Sequence, residues 1–288
     1  MFLIFDTETT GLPKKWSAPL TDFDNWPRAI QVAWQVHDEK GICVSNQSYI
    51  IHPKGFTIPY DSEKIHGIST QLAKKIGVEV EFVLEKFKDD LSKSKFICGH
   101  NLNFDEKILG SEYLRIDGKN PLQDFPKIDT CTEETAQICM LKGGRGRRFK
   151  LPTLIELYSH LFNQKFESAH NASADVEATA LCLFKLLKDK KIHPASLSNN
   201  EDIYMNLSDL DLEKVSCALN FSFNNNLELI KKPNCLNDPN VGLLIITSNS
   251  FLSLLGRVFV TILIAPLKAF CPNILEAGPL IISILSIN

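Results

Sequence analysis

The stretch FLIFDTETTG, residues 2–11, places two acidic residues at the end of an apolar run. The run itself predicts a short, buried β-strand. Residues two apart on a strand point to the same face, so the carboxylates of Asp6 and Glu8 can reach one metal ion. Gly11 lets the backbone turn tightly there. Taken alone, the pair also fits a strand that ends in an ordinary polar turn.

Two further acidic residues stand near predicted helix starts. Asp105 closes HNLNFD, residues 100–105, where Asn103 is predicted to cap a helix. Asp175 closes HNASAD, residues 170–175, in the first turn of another predicted helix. The helix dipole favours carboxylates at such positions, so a structural role explains each of them singly.

Four carboxylates in this order indicate a definite chemistry when they are taken together. If Asp6, Glu8, Asp105 and Asp175 converge, they can hold two hard divalent cations, which prefer oxygen ligands. His170 lies on the loop before the last helix and can take a proton from water. The combination therefore predicts metal-assisted phosphodiester hydrolysis.

The order of predicted elements indicates the fold class. Three β-rich segments come first, and helical patterns then alternate with single strands, which is typical of a central sheet flanked by helices. We therefore predict an α/β fold with a mixed five-stranded sheet. The predicted strands are residues 2–6, 29–37, 43–51, 95–99 and 127–129. The predicted helices are residues 70–75, 80–93, 104–114, 133–141, 152–162 and 173–188.

The composition is ordinary for a globular protein, with 44% hydrophobic and 23% charged residues among 288. The net charge of −3 excludes a polycation, so any contact with nucleic acid must come from a local basic patch. The eight cysteines include no C-x-x-C pair, which disfavours a zinc ribbon. Their scatter and the absence of a signal peptide predict reduced thiols and a cytoplasmic protein.

A change in composition near residue 190 predicts three segments. Residues 1–190 form the domain that carries the acidic motifs, residues 191–240 a polar linker, and residues 241–288 an apolar, low-charge tail of irregular structure and unknown role. The tail contains an apolar run over 251–267, but Arg257 interrupts it. A membrane span is therefore disfavoured, and a tethered protein remains the minority interpretation.

Residues 1–190 resemble the DnaQ-like 3′–5′ exonucleases of the DEDDh type. Asp6-x-Glu8 looks like their first motif, residues 100–105 like the second, and His170 with Asp175 like the third, in which the histidine defines the subclass. Residues 65–68, IHGI, also look like a segment of that family. The resemblance is strongest to the proofreading module of bacterial DNA polymerase III, either the epsilon type or the version fused to the polymerase.

This resemblance implies a ribonuclease-H-like fold and a DNA 3′–5′ exonuclease. It implies that Asp6, Glu8, Asp105 and Asp175 bind two Mg²⁺ ions, which Mn²⁺ can replace, and that His170 acts as the general base. The product would be a nucleoside 5′-monophosphate. The implied partners are a single-stranded DNA 3′ end and the catalytic subunit of DNA polymerase III.

Substrate contacts are also implied by the resemblance. They would be made by Thr7, Thr9, Leu12, His66, Asn101 and Phe104. A basic segment, KGGRGRRFK over residues 142–150, departs from the family pattern. We expect its arginines to follow the phosphate backbone, with a solvated loop as the alternative. These arginines are Arg145, Arg147 and Arg148.

Two other functions remain open from the sequence. An exoribonuclease that trims RNA 3′ ends uses the same acidic residues, and no 2′-hydroxyl contact is readable here. A non-catalytic module that binds nucleic acid or a polymerase is the second alternative. The presence of all five expected catalytic residues argues against this second alternative.

Overall fold

The computed structural model describes residues 1–143, 146, 148–165, 171–198 and 200–217. Its strands are β1 (Phe2–Thr9), β2 (Ala29–His37), β3 (Cys43–Ile50), β4 (Phe96–Gly99) and β5 (Lys127–Asp129). Its helices are α1 (Tyr60–His66), α2 (Thr70–Ile76), α3 (Val80–Ser92), α4 (Leu102–Asp117), α5 (Glu133–Cys139), α6 (Leu154–Phe162), α7 (Ala172–Lys188) and α8 (Glu201–Leu207).

The strands form one five-stranded sheet in the order β3-β2-β1-β4-β5. The pairs β1–β2 and β2–β3 are antiparallel, whereas β1–β4 and β4–β5 are parallel. Pairing of β1 with β2 is irregular at one point, between Glu8 and Thr9. The predicted mixed five-stranded sheet flanked by helices is confirmed.

Strand β1 is apolar on both faces because both faces are covered. Phe2 and Ile4 pack in a buried cluster with residues of α7, whereas Leu3 and Phe5 pack in a second cluster with residues of α3 and α4. This alternation continues past the apolar run. It places Asp6 and Glu8 on the face toward α7 and Thr7 on the face toward α4.

Helix α4 begins at Leu102, earlier than the predicted residue 104, and Asn103 does not cap it. Asn101 occupies the cap position in the left-handed conformation, with φ 63° and ψ 40°, and its side chain makes no capping hydrogen bond. A carboxylate from β5 takes that role instead. A short-range capping pattern could not reveal a partner so far along the chain.

The compact unit extends to Cys217, beyond the boundary predicted at residue 190. The first part of the predicted linker packs on the core because apolar side chains recur among its polar residues. These buried side chains are Ile192, Leu197, Ile203, Leu207, Leu210 and Val215. The remainder of the predicted linker and the whole predicted tail lie outside the described residues.

Cys43, at the start of β3, forms a disulfide with Cys217, and their Cα atoms are 5.4 Å apart. This pairing differs from the reduced thiols predicted from the sequence. The two residues are 174 positions apart, so only the packing of the segment after α8 brings them together. No helix among the residues with described structure is both long and apolar enough to cross a membrane.

Candidate functional site

Three of the predicted metal ligands meet where β1 ends beside the first turn of α7. Asp6, Glu8 and Asp175 each offer one carboxylate oxygen, and these atoms all lie within 4.8 Å of one another. The start of α7 is fixed by Asn171, whose side-chain oxygen accepts hydrogen bonds from the amides of Ser173 (3.1 Å) and Ala174 (3.4 Å). Successive side chains of β1 point to opposite faces of the sheet, and this alternation together with the capping of α7 brings the carboxylates together.

Asp105 reaches the same strand from the opposite side of the sheet. Its Oδ1 accepts a hydrogen bond from the backbone amide of Thr7 (3.0 Å) and another from the Thr7 hydroxyl (2.6 Å). Only 4% of Asp105 is exposed, and Thr7 is also buried. The resemblance implied that Thr7 contacts substrate, but both of these Thr7 donors are directed at Asp105.

The electrostatics of the four carboxylates reflect burial and mutual repulsion. Burial raises the pKa of Asp6 well above its usual range, and the charges of Asp105 and Asp175 raise it further. Burial and the charge of Asp175 raise the pKa of Glu8 to about 8. Burial raises the pKa of Asp105 to about 7, against the opposing effect of the Thr7 hydrogen bonds. Crowded carboxylates of this kind suit a divalent cation, which favours their ionised form.

Asp129 is a residue of the site that the sequence did not reveal. Its Oδ1 accepts hydrogen bonds from the amides of Asn101 (2.8 Å) and Cys131 (2.8 Å), and its Oδ2 accepts one from Leu102 (3.0 Å). The carboxylate therefore holds the turn that leads into α4 and to Asp105. The available signal was an acidic residue at the end of β5, which is parallel to β4.

His100 ties the end of β4 to the segment before α6. Its Nδ1 is 2.9 Å from the hydroxyl of Thr130, and its Nε2 donates to the carbonyl of Pro152 (3.0 Å). Burial lowers the pKa of His100 to about 4. His100 is therefore neutral near pH 7 and has a role in structure rather than in proton transfer.

The other predicted substrate residues differ in how far their side chains are exposed and in whether they are hydrogen-bonded within the chain. The Thr9 hydroxyl donates to the carbonyl of Gly11 (2.7 Å), in a turn where Gly11 has φ 141°, and the next side chain, Leu12, is 73% exposed. Asn101 is exposed and Phe104 is half-buried. These residues flank the carboxylates along the chain.

His66 is buried near the turn that follows β1. Its Nδ1 accepts a hydrogen bond from the amide of Ile68 (3.1 Å), and its Nε2 is buried with no hydrogen-bond partner among the described residues. Burial lowers the pKa of His66, and the nearby Thr9 backbone offsets this effect only in part. Because Nδ1 is an acceptor, Nε2 carries the proton, and the group that it meets is the backbone of Thr9.

The remaining predicted residues precede α6 and α7 along the chain. His170, Arg145 and Arg147 lie outside the described residues. Arg148 is exposed, and its guanidinium carbon lies 5.0 Å from the centroid of the Phe149 ring. An isolated antiparallel bridge joins Lys142 to Phe149, so the ends of the basic segment lie side by side.

The model of one protein family, RNase_T, described as exonuclease, matches residues 3–183. A curated relative, the DNA polymerase III PolC-type of Listeria welshimeri serovar 6b, is 25% identical over 209 residues, which cover 72% of this chain and 13% of the relative. The corresponding protein of Latilactobacillus sakei subsp. sakei is 29% identical over 195 residues, covering 65% of this chain and 11% of the relative. The chain thus spans a small fraction of these relatives.

A solved structure gives an independent comparison of the fold. The crystal structure of E. coli exonuclease I in complex with a dT13 oligonucleotide is similar with a TM-score of 0.51 and 20% identity. The match covers 70% of this chain and 42% of that chain. The two share the ribonuclease-H-like fold that the sequence resemblance implied.

Proposed function

The chain belongs to the RNase_T exonuclease family, and we propose that it is a two-metal-ion 3′–5′ exonuclease of the DEDDh type acting on DNA 3′ ends. The observation that carries this proposal is that carboxylate oxygens of Asp6, Glu8 and Asp175 meet within 4.8 Å, at the end of the strand whose opposite face contacts Asp105. Carboxylates gathered in this way are suited to hard divalent cations.

The four carboxylates would hold two Mg²⁺ ions, which Mn²⁺ can replace. When bound, such ions acidify a water molecule and neutralise the charge that develops on the reacting phosphate. The raised pKa of Glu8, about 8, supports this assignment, because a bound cation would offset the repulsion that contributes to it.

The residues of the chain would then carry out hydrolysis in one displacement. The oxygen of a water molecule attacks the terminal phosphorus, and the bond from phosphorus to the upstream 3′ oxygen breaks. His170, the proposed general base, takes the proton from the water, since an unperturbed imidazole has a pKa of about 6.5. The departing 3′ oxygen takes a proton from solvent, so the products are a nucleoside 5′-monophosphate and a shortened strand with a free 3′ hydroxyl.

The terminal nucleotide would be held by residues near the end of β1. The buried Nε2 donor of His66 supports a nucleotide contact, because it faces the backbone of Thr9 at the end of β1, where the terminal nucleotide would lie. Leu12 and Phe104 would pack against the base, and Thr9 and Asn101 would lie beside the sugar and phosphate. Arg145, Arg147 and Arg148 would bind phosphates farther along the strand.

We further propose that the exonuclease proofreads during DNA replication in the cytoplasm. The two curated relatives are named DNA polymerase III PolC-type, and the matched segment is a small part of each of them. A polymerase catalytic subunit would therefore be the partner that delivers the single-stranded 3′ end.

The decisive experiment is digestion of 5′-labelled single-stranded DNA and RNA of the same sequence with Mg²⁺ and with EDTA. We expect a metal-dependent ladder of shortened DNA that retains its 5′ label. Glu8→Gln should abolish the ladder, whereas Glu85→Gln, an exposed change on α3, should leave it intact. No metal-dependent digestion of either substrate would overturn the enzymatic proposal. Equal or faster digestion of RNA would overturn the proofreading role.

A further inference from the structure

The chain has three tryptophans, and only Trp16 exposes its ring to solvent. Trp26 and Trp34 are 2% and 0% exposed, whereas Trp16 is 46% exposed. A single exposed apolar residue is common on protein surfaces and needs no special explanation. The exposure of Trp16 suggests a function because of where this residue lies.

Trp16 lies beside the candidate active site. Its ring contacts that of Phe104, with centroids 5.8 Å apart and the planes tilted by 55°. Phe104 directly precedes Asp105, the carboxylate that Thr7 holds. The exposed indole of Trp16 thus packs against Phe104, the chain neighbour of the proposed metal ligand Asp105.

The loop that carries Trp16, residues 13–27, is held in place by its own hydrogen bonds. The Lys15 amide donates to the Asn25 side chain (2.7 Å), and that side chain donates back to the Lys15 carbonyl (3.0 Å). The indole of Trp26 donates to the carbonyl of Pro19 (3.0 Å). These bonds close the loop on both sides of Trp16.

Helix α4 fixes the same loop from outside. The Ser111 hydroxyl donates to the carbonyl of Leu20 (3.1 Å), and the Arg115 guanidinium donates to the carbonyls of Phe23 (3.0 Å) and Trp26 (2.9 Å). The helix that carries Asp105 therefore also carries the supports of the loop. A ring fixed in this way loses little further freedom on binding a ligand.

The charge next to Trp16 suits an anionic ligand. Lys14 and Lys15 directly precede it and are exposed, and residues 9–21 include no acidic residue. The acidic residues of the same loop, Asp22 and Asp24, stand at its far end, six and eight residues after Trp16. Lysines beside an exposed aromatic ring are the combination that binds single-stranded nucleic acid.

We propose that Trp16 is a stacking platform for one base near the 3′ end of a single-stranded DNA bound at the candidate active site, with Lys14 and Lys15 on the adjacent phosphates. This inference rests on the proposed function, because it requires a strand whose end lies at the carboxylates. Stacking accepts every base, so the platform would hold the strand without reading its sequence.

Intrinsic fluorescence tests the proposal because Trp16 is the exposed tryptophan. Titration of the full chain in EDTA with oligothymidine should quench the fluorescence. In Trp16→Phe the quench should disappear while affinity, measured by anisotropy of a 5′-dye-labelled strand, stays close to that of the unmodified protein. In Trp16→Leu the Kd should rise by about 5- to 150-fold.

Strands with one abasic nucleotide locate the stacked base. We expect an abasic substitution at one position near the 3′ end to weaken binding to the unmodified protein, and to have little further effect on Trp16→Leu. Phe82→Leu is the matched control, since Phe82 is also exposed and also paired with a ring, that of Tyr49. This control should bind and respond like the unmodified protein.

The outcomes separate the two proposals. If the unmodified protein digests single-stranded DNA but Trp16→Leu binds it equally well, the platform is overturned and the exonuclease stands. The same conclusion follows if the loss of affinity from Trp16→Leu and the loss from the abasic nucleotide simply add. If the unmodified protein neither binds nor digests DNA, the proposed function fails with it. Thermal melting of each variant shows that it is folded, and Trp16→Phe keeps a ring in the same position.

Discussion

Asp105 accepts two hydrogen bonds from Thr7, one from the amide and one from the hydroxyl, across 98 residues of sequence. This pair joins α4 to the strand that carries Asp6 and Glu8. The hydroxyl bond, at 2.6 Å, is short and involves a carboxylate, which makes it stronger than a bond between neutral groups. Several expected properties of the protein depend on how this pair and its neighbours are arranged.

Thr7→Val should impair the site while keeping the shape of the side chain. The substitution removes one donor from a buried carboxylate, so we expect a loss of about 1–3 kcal/mol of unfolding free energy. We expect a fall of about 10- to 100-fold in metal affinity or activity, which is typical for loss of a residue that orients a ligand. Urea unfolding and metal titration measure the two effects.

Thr7→Ser keeps the hydroxyl and should recover most of both losses. Thr57→Val, an exposed change of the same chemistry, should alter neither. A Thr7→Val protein with unchanged metal affinity would show that the hydroxyl does not position Asp105.

Without divalent cations, the stability of the protein should fall as pH rises from about 6.5 to about 8. The pKa of Glu8 is raised to about 8 and that of Asp105 to about 7, so the folded state keeps protons that the unfolded state has lost. The buried histidines His37 and His100, with pKa values lowered to about 4, are neutral in the folded state over this range, and in the unfolded state they still hold protons near its lower end, which makes the fall shallower there.

Thermal melting in EDTA, repeated with Mg²⁺ or Mn²⁺, checks this dependence. The metal should raise the melting temperature more at the higher pH, because it binds the ionised carboxylates. Glu8→Gln should flatten the fall in EDTA and reduce the response to metal, while Glu85→Gln should retain both. A melting temperature that does not change with pH in EDTA would contradict the prediction.

Asp129→Ala should reduce activity without touching a proposed metal ligand. It removes the acceptor of three backbone amides, two at the start of α4 and one at Cys131, so we expect a loss of about 1–3 kcal/mol of stability and a lower kcat. Asp211→Ala is the control, because Asp211 also caps a short helical turn, at Glu213, but lies after α8. Full activity in Asp129→Ala would mean that the turn is held by other contacts.

Reduction of the Cys43–Cys217 disulfide should destabilise the protein by about 2–4 kcal/mol, because the bond closes a long loop of the unfolded chain. Melting with and without a reducing agent measures the difference. Cys217→Ser should melt at the lower temperature under both conditions, whereas Cys98→Ser, at a free cysteine, should still respond to the reducing agent. A melting temperature of the unmodified protein that is insensitive to reduction would contradict the expectation.

The sequence predicted those features that depend on neighbours along the chain. The alternation of β1 placed Asp6 and Glu8 on one face, and the apolar spacing located α3 and α7 to within a few residues. It did not reveal Asp129 as the partner of the α4 amides, because that contact joins the end of β5 to the start of α4, which are neighbours only in the folded protein. For the same reason it missed the pairing of Cys43 with Cys217.

The segment after residue 190 illustrates a different difficulty. Its polar composition predicted a linker, whereas its widely spaced apolar residues pack on the core. Average composition does not distinguish a linker from a short covering segment when few side chains provide the contact. The side chain of Trp16 posed a similar problem, since its exposure depends on where residues 13–27 rest against α4.

Strand β1 contributes to the site through both of its faces, so the odd or even position of each residue decides which helix it meets. Deleting one residue between Phe2 and Phe5 would turn the acidic side chains toward α4 and the threonines toward α7 if the start of the strand kept its pairing with β2. Such a deletion would leave every acidic residue in the sequence and still dismantle the site. The strand therefore does not tolerate the insertion or deletion of a single residue ahead of Asp6.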